Sequence, residues 1–382
     1  MPSLVYFRQQ KRNLSIQPVG LELALSLKQN TVMKNQLILI AGAFLIASCS
    51  TEAPKETAAS VTRIAFGSCG YQDQVQPVLR LAAAQQPDAF VFLGDNIYGD
   101  THNMDTLRNK YERWMAKPEY QALKDSTTIL ATWDDHDYGW NDSGRHYPEK
   151  ELSKAIFLDV FEVPESDERY TRPGIYTDHM LKAGDKTVQV ILLDTRTFRD
   201  DVRPYEGQEV DTVAFHYELG YWPYETKDST MLGEAQWAWL GKVLEKPADL
   251  RVIASSTQFG ITYNGYEAWA NFPHEQERML ELIKAQKANG VVFISGDVHY
   301  AEVSKVSHPG LYPINDVTSS GITSTWGFAT PNDNRIQGPV MENHFGLLEM
   351  DWEKEELRMK VIDVAGQERF TEAVAFKALK SW

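Results

Sequence analysis

Residues 89–98 read AFVFLGDNIY, a run of five apolar side chains that leads directly into Gly94 and Asp95. The length and apolar character of this run predict a short buried strand that presents Asp95 at its carboxyl end. Three further apolar runs end in polar motifs, which are FGSC at 66–69, WDDHD at 133–137 and GDVH at 296–299. Because α/β folds build their sites at the carboxyl ends of strands, we expect the four motifs to converge on one site.

Strand-like and helical segments alternate on either side of this run. Strands are predicted at 61–68, 89–93, 127–133, 174–181, 187–194, 250–255, 291–295, 312–319, 344–352 and 356–364, and helices at 74–86, 104–115, 119–124, 149–161, 233–244 and 273–289. Since no internal repeat or second boundary is visible, the sequence predicts one α/β domain over residues 61–382, with two mixed sheets covered by helices. The aromatic and acidic stretch 197–230 interrupts the pattern, and a loop of this length is usually functional or mobile.

The composition of the chain bounds its function. It has 382 residues, of which 43% are hydrophobic and 24% charged, as in a globular protein. The formal net charge of −15 repels polyanions, so a broad nucleic-acid-binding surface is not expected. A small phosphorylated substrate stays compatible with this charge, because bound cations reverse the local potential.

The N-terminal part of the chain carries export signals. Lys34 precedes an apolar run at 37–47 that is too short to cross a bilayer but has the length of a signal-peptide core. The ending IASC at 46–49 resembles the bacterial lipobox, which predicts a lipoprotein signal peptide at 33–48 and a lipid on Cys49. An ordinary signal peptide or an anchor helix is the alternative.

The lipoprotein interpretation sets the other N-terminal boundaries. Residues 1–32 are interpreted as a non-native extension upstream of the true start, and residues 49–60 as a flexible polar tether. The mature protein is then expected as a periplasmic or cell-surface lipoprotein whose membrane contact is its N-terminal lipid, with Ser50 favouring the outer membrane. In that compartment Cys69 has no disulfide partner, because Cys49 is the other cysteine of the chain.

The four motifs carry groups that bind metal ions when deprotonated. Cleavage of a phosphate ester needs charge compensation and an activated oxygen nucleophile, which two metals about 3.5–4 Å apart supply. Asp95, at the tip of its strand, is the natural bridge between two such ions. Tyr98 can turn its phenolate back to the first ion, and Cys69 and His299 complete that site. A thiolate and a phenolate together favour ferric iron over magnesium.

The remaining acidic residues and a histidine suit the second ion and the substrate. Asp135 and Asp297 are hard oxygen donors for calcium, manganese or zinc. His136 projects differently from Asp135, so we interpret it as a substrate contact that stabilises the phosphoryl group or protonates the leaving oxygen. Asp134 or Asp137 is the expected partner that orients this imidazole.

Two arginines are candidates for binding the phosphate. Arg145 and Arg196 could each hold it by bidentate hydrogen bonds, and Arg196 is favoured because it follows the predicted strand end at 194. Each feature taken alone has a structural explanation, since a Gly-Asp pair after a strand is commonly a turn or a helix cap. Four motifs at four strand ends favour a two-metal hydrolase. The other histidines, His344 among them, are interpreted as surface or packed side chains.

At these residues the chain resembles the PhoD-like (alkaline phosphatase D) branch of the calcineurin-like metallophosphoesterases. The resemblance runs from about residue 64 to the C-terminal strands. FGSC is similar to the family's cysteine motif, and Gly94-Asp95-x-x-Tyr98 is similar to the motif of its bridging Asp and iron-bound Tyr. WDDHD resembles Gly-Asn-His-Asp, which gives Asp135 a metal-binding role and His136 a substrate role. GDVH resembles Gly-His-x-His, which implies Asp297 on the second metal and His299 on the first.

The resemblance also implies a fold and an activity. It implies a four-layer αββα sandwich with mixed sheets, iron and calcium as cofactors, and hydrolysis of phosphomonoesters or phosphodiesters. Leu193-Asp194-Thr195-Arg196 and Asp142 resemble family positions as well. Gln258 stands near the place where relatives carry a histidine, so a metal contact there would use a weaker amide oxygen.

Residues and resemblance together predict a monomeric metallophosphatase or phosphodiesterase whose partner is a small phosphate ester. In this hypothesis a metal-activated hydroxide attacks phosphorus in line. Two alternatives stay open. The aromatic residues at 205–224, if they form a lid, suit a phospholipid or a cell-surface polymer as substrate. The other alternative is a metal-containing lipoprotein that binds a ligand without turning it over.

Overall fold

The structure is a computed structural model that describes residues 61–381. The predicted signal peptide at 33–48, its upstream extension, Cys49 and the tether to residue 60 lie outside the described residues. Within the described part of the chain, each helix lacks the combination of length and apolar character that crossing a bilayer requires.

Two β-sheets form the middle of the domain. The first has the order β13-β12-β11-β1-β2-β3, with β1 at Val61–Gly67, β2 at Ala89–Leu93, β3 at Thr128–Thr132, β11 at His344–Asp351, β12 at Glu356–Asp363 and β13 at Glu368–Ala375. The second has the order β10-β8-β9-β7-β6-β5-β4, with β4 at Thr177–Ala183, β5 at Lys186–Leu192, β6 at Leu250–Ser255, β7 at Val291–Ser295, β8 at Ala301–Val306, β9 at Ile314–Ser319 and β10 at Arg335–Val340.

Side-chain alternation along β2 explains how the first sheet is buried on both faces. Val91 and Leu93 belong to the core cluster that also contains side chains of the second sheet. Phe90 and Phe92 point the other way, into a second cluster on the helical side. Phe92 meets Trp114 edge to face with ring centroids 5.0 Å apart. Burying a side chain of this size stabilises the fold by about 1.5–3 kcal/mol.

Helices cover the outer faces of both sheets. They are α1 at Pro77–Ala84, α2 at Met104–Met115, α3 at Pro118–Lys124, α4 at Asp135–Tyr138, α5 at Lys150–Val160, α6 at Gly233–Leu244 and α7 at Pro273–Ala285. Side chains of α1, α2, α3 and α5 share the cluster on the helical side of the first sheet. Side chains of α6 and α7 pack with strands of the second sheet. The predicted four-layer αββα architecture is therefore confirmed.

Three observed strands were not predicted. Strand β8 begins two residues after the GDVH motif, where no separate apolar run announces it. Strand β10 contains Gly338 and Pro339, which are depleted in strands. Strand β13 is an edge strand whose charged side chains hide its alternation and protect the sheet edge. Residues 197–230 form no helix or sheet strand apart from a bridge between Pro204 and Tyr221.

Candidate active site

The four sequence motifs converge at one edge of the two sheets. Strands β1, β2 and β3 run parallel, as do β5, β6, β7 and β9, so their carboxyl ends face the same region. Ligand atoms of Cys69, Asp95 and His299 all lie within 4.8 Å of one another. The same limit holds for the group Asp95, Asp135 and His136, and for the group Asp134, Asp135 and Asp297. Asp95 and Asp135 are therefore each common to two of the three groups, and Asp95 is the one that joins Cys69 and His299 to the other carboxylates.

Backbone geometry turns these side chains inward directly after the strands. Cys69, Asp95, Asp297 and His299 have φ angles of 61°, 49°, 77° and 54°, in the left-handed region that non-glycine residues rarely adopt. Conformations of this kind cost energy and cluster at functional sites. Gly94 has a φ of 100°, and a Cβ atom there would lie 2.5 Å from the Asp134 Cβ. The tight approach of β2 and β3 therefore requires glycine at 94.

The first group combines soft and hard donors. The Cys69 Sγ lies 3.4 Å from the Asp95 Oδ2 and 3.0 Å from the Ser320 Oγ. Burial raises the pKa of the Cys69 thiol to about 12, and burial likewise raises the pKa of the Tyr98 phenol well above its usual range. The Tyr98 hydroxyl is 3.3 Å from the His299 Nε2. Burial lowers the pKa of His299 to about 4, and the charge of His136 contributes to the same shift. Its imidazole is therefore neutral and able to act as a ligand.

The carboxylates of the site have buried oxygens without hydrogen-bond partners. These atoms are the Asp95 Oδ1, the Asp134 Oδ2 and the Asp135 Oδ1. Burial is the main reason that the pKa values of Asp95 and Asp297 lie well above the usual carboxyl range. Buried polar atoms normally have partners, and carboxylates crowded in this way repel each other unless cations intervene. A thiol, a phenol, an imidazole and several carboxylates together fit bound cations.

His136 faces the cavity, and its partner is Asp100. The His136 Nδ1 lies 2.7 Å from the Asp100 Oδ1, and the imidazole ring centroid lies 4.4 Å from that of Tyr98. Burial lowers the pKa of His136, but the charges of Asp95, Asp135 and Asp100 outweigh it and raise this pKa to about 10. Asp100 follows Asp95 by five residues in the same loop, and the sequence analysis missed it.

Asp137 does not take the predicted role beside His136. Its carboxylate accepts a hydrogen bond from the Asn96 backbone N–H at 3.0 Å and another from the Asp134 backbone N–H at 2.5 Å. These bonds cap the start of α4 and join it to the loop after β2. The Asp134 carboxylate accepts hydrogen bonds from Arg196 and Ser256 instead. The expected orientation of His136 by Asp134 or Asp137 is therefore corrected to orientation by Asp100.

Arg196 lies beneath the site and does not line its cavity. The guanidinium is completely buried, and its Nε donates to the Asp134 Oδ1 at 2.5 Å. It also pairs with Glu267 at 2.6 Å, and Arg199 pairs with the same carboxylate at 2.8 Å. The predicted phosphate clamp is corrected for this reason, and Arg196 instead positions the carboxylates. Arg145, the other predicted phosphate contact, forms an ion pair with Asp200, and neither residue lines the cavity.

After the end of β6, the side chain that reaches the site belongs to Ser256 and not to Gln258. Its hydroxyl donates to the Asp134 Oδ1 at 2.6 Å. Gln258 instead donates to Glu302 and Thr318, at 3.0 Å each, within the second sheet. The Gln258 side chain is therefore held within the second sheet by hydrogen bonds and does not line the cavity.

A cavity of about 300 Å³ opens above these groups. Its lining includes Asp95, Asp135 and Asp297, together with His136 and His299. Further lining comes from Asn141, Asp142, Tyr221, Tyr266, Glu267 and Trp326, of which the sequence analysis singled out Asp142 and the Tyr221 stretch. Residues 266, 267 and 326 had no local signal, because the fold alone brings them to the strand ends.

Comparisons with known proteins bear on the family and the fold. The family model described as PhoD-like phosphatase matches residues 166–359. Alkaline phosphatase D of Bacillus subtilis (strain 168) is 24% identical over 281 residues, which are 63% of this chain and 46% of that protein. The chain thus spans about half the length of the curated relative it matches.

Two solved structures agree with the architecture. A structure of PhoD is 19% identical, with a TM-score of 0.61 over 85% of this chain and 70% of that one. A dimetal phosphatase from Danio rerio is 15% identical, with a TM-score of 0.50 over 82% of this chain and 99% of that one. At these identities the similarity shows a shared fold.

Proposed function

The chain belongs to the PhoD-like phosphatase family, and we propose that it hydrolyses phosphate esters at a two-metal site built around Asp95. The observation that carries the proposal is the position of Asp95, which lies within 4.8 Å of ligand atoms on Cys69 and His299 and also of one on Asp135. A carboxylate shared between two donor groups is what a bridging ligand requires. The names of an alkaline phosphatase and a dimetal phosphatase among its relatives support the same activity.

The first ion in this proposal is iron(III), held by Cys69, Asp95, Tyr98 and His299. Burial keeps the Cys69 thiol and the Tyr98 phenol protonated over the ordinary pH range, so each needs a strongly charged ion to become a ligand. Iron(III) meets that requirement better than magnesium.

The second ion is calcium, with manganese or zinc as the alternatives, and Asp95, Asp135 and Asp297 hold it. These ligands are carboxylate oxygens, which hard cations prefer. When bound, the two ions compensate the charge of the phosphoryl oxygens and lower the pKa of water toward neutrality.

His136 supplies the proton that the leaving oxygen needs. Its Nδ1 is held by Asp100, which leaves the Nε2 as the nitrogen that carries this proton. Cations that neutralise Asp95 and Asp135 remove part of the charge that raises the pKa of His136, and so bring it closer to the working pH. Arg196 does not contact the substrate in this scheme, and it holds Asp134 below the site.

The test is hydrolysis of phenyl phosphate and diphenyl phosphate by metal-analysed protein, because a phenol oxygen with a pKa of about 10 needs a proton when it leaves. Replacing His136 by Ala should lower kcat by about 10²–10⁴ without removing metal, because general acid catalysis contributes that much. The control is His102→Ala, since His102 is exposed and pairs with Glu149 outside the cavity lining. Metal-loaded protein that hydrolyses neither ester, nor phospholipid vesicles, would leave the non-catalytic lipoprotein as the better hypothesis. Turnover of phospholipid alone would favour the lipid alternative.

We also propose that the protein is exported as a lipoprotein anchored through Cys49. The support is the IASC sequence at 46–49 and the preceding apolar run, which both lie outside the described residues. Metabolic labelling with a radioactive fatty acid should label the wild-type protein and leave Cys49→Ser unlabelled. Equal labelling of both would refute the assignment.

A further inference from the structure

Aromatic side chains form part of the lining of the active-site cavity. Tyr266 and Trp326 line the cavity directly. Behind them, the Trp326 ring stacks on Phe328 with centroids 5.3 Å apart and planes inclined by 10°. The Tyr217 ring stacks on Tyr266 with centroids 5.4 Å apart and planes inclined by 12°. These four residues, called the aromatic wall below, come from three separate loops and support one another.

The aromatic wall adjoins the candidate metal ligands. The Trp326 ring stacks beside the His299 imidazole at a centroid distance of 5.3 Å, and the Trp326 backbone N–H donates to the His299 carbonyl at 2.9 Å. Tyr266 and Trp326 are each only partly buried, so their rings keep surface that faces the cavity. An organic group on a phosphate held beside His299 would therefore lie close to this wall.

The cavity has room for such a group. Its volume of about 300 Å³ is at the lower end of the range that holds drug-sized organic ligands, and a phosphoryl group alone would leave much of it empty. Much of the remaining lining is acidic, with Asp135, Asp142 and Glu267 among its residues. The aromatic wall is thus the apolar part of the lining that an organic group can use.

We propose that the aromatic wall binds an aromatic or heteroaromatic ring on the organic part of the phosphoester, which makes Tyr266 and Trp326 specificity-determining residues. This inference rests on the phosphoesterase function proposed above. A planar ring suits the wall because aromatic pairs attract each other in offset and edge-to-face geometries, beyond the gain from burial alone. A polyol would have to exchange its water for a surface of ring carbons. The net charge of −15 favours a small ester over a polynucleotide.

A binding experiment tests the wall without any turnover. Phenylphosphonate and methylphosphonate carry the same phosphorus headgroup and differ in the ring, and calorimetric titration of the metal-loaded protein compares their affinities. We expect phenylphosphonate to bind about tenfold more tightly, as one additional aromatic contact and its burial provide. Equal affinities for the two ligands would overturn the proposal.

Three variants connect that preference to the wall. Tyr266→Leu and Trp326→Leu should each reduce the ratio of the phenylphosphonate affinity to the methylphosphonate affinity by several-fold. The matched control is Trp140→Leu, because Trp140 is an exposed tryptophan that stacks on His102 and does not line the cavity. Metal content is measured in each variant, since Trp326 touches His299, whereas no ring contact joins Tyr266 to a candidate ligand. A preference that survives in both wall variants would overturn the proposal.

A kinetic series then separates simple aryl groups from nucleosides. Phosphodiesters of p-nitrophenol with methanol, phenol and the 5′-hydroxyl of thymidine share one leaving group, so their intrinsic reactivities are similar. The phenyl ester should exceed the methyl ester in kcat/KM by about tenfold through a lower KM, and the thymidine ester should do the same if the ring is a nucleobase. A phenyl ester no better than the methyl ester would count against the wall. If the protein hydrolyses no ester at all, the proposed function fails, and the phosphonate titration still decides on the wall.

Discussion

Replacing Asp100 by Asn tests the proposed proton donor in the site. The substitution keeps the shape of the side chain and removes the charge that lies 2.7 Å from the His136 Nδ1. Asp100 has a φ of 42°, and asparagine tolerates this left-handed conformation better than most residues, so the loop should keep its path. The perturbation is therefore confined to the charge beside His136.

The expected effect follows from the charge of the lost partner. The Asp100 carboxylate raises the pKa of His136, so its removal lowers that pKa. A hydrogen bond to a charged group contributes about 1.5–3 kcal/mol, which corresponds to about 1–2 pH units. The Asp100 side chain is 36% exposed, and solvent screening places the expected shift at the lower end, about 1 pH unit. Since a general acid must be protonated, activity is lost as pH rises through this pKa, and the alkaline limb should move to lower pH.

The assay is the pH dependence of kcat/KM for phenyl phosphate, whose leaving oxygen needs a proton, with the metal content of both proteins measured at each end of the range. The matched control is Glu149→Gln, because Glu149 pairs with His102 at the same 2.7 Å but outside the cavity lining. That variant should keep the wild-type profile. An alkaline limb that stays in place, or moves to higher pH, in Asp100→Asn would refute the role given to Asp100.

Three further predictions concern the support of the site and the stability of the fold. Glu267→Gln leaves the buried guanidinium groups of Arg196 and Arg199 without their shared counter-charge, and should lower the free energy of unfolding by about 3–5 kcal/mol in urea denaturation. A loss below about 1 kcal/mol would contradict the pairing. Burial lowers the pKa of His344 to about 4, so the folded state favours the neutral imidazole and loses stability as pH falls below about 6.5. Lowering the pH from 7 to 5 should therefore reduce the free energy of unfolding by about 2 kcal/mol through this residue. In urea denaturation, His344→Gln should lose less stability over this pH range by that amount. An equal loss in both proteins would argue against the role of His344. Gly94→Ala places a Cβ atom 2.5 Å from the Asp134 backbone nitrogen, at a residue with a φ of 100°. The variant should therefore lose both thermal stability and bound metal. A variant equal to wild type in both measurements would contradict the steric argument.

Local patterns predicted the fold class, most of the strands and the four motifs that meet at the candidate site, because these depend on short-range signals. A five-residue apolar run that ends before Gly94 favours a short buried strand over a helix because of its length, and β2 is that strand. The alternating run that forms β11 was visible for the same reason. Parallel strands bring their carboxyl ends to one edge, and the four motifs met there as expected.

Side-chain directions and long-range partners could not be predicted in this way. His136 and Asp137 are neighbours on α4, where successive side chains point in different directions, and Asp137 turned back to cap the helix. Arg196 follows a strand end, but that strand end is covered, and its partner Glu267 is distant in sequence. No short-range pattern announces such a pair. The same holds for Trp326, which reaches the cavity from a loop after β9.

The metal content of the purified protein tests the two-metal site most directly. Elemental analysis of wild type should give two ions per chain, one of them iron, with a visible charge-transfer band that Tyr98→Phe or Cys69→Ser removes. Asp95→Asn keeps a residue that tolerates the φ of 49° at this position, and should lose both metal binding and activity. The control Asp105→Asn, on the exposed side of α2, should retain both ions. An Asp95→Asn protein that keeps both metals and full turnover would contradict the bridging role of Asp95.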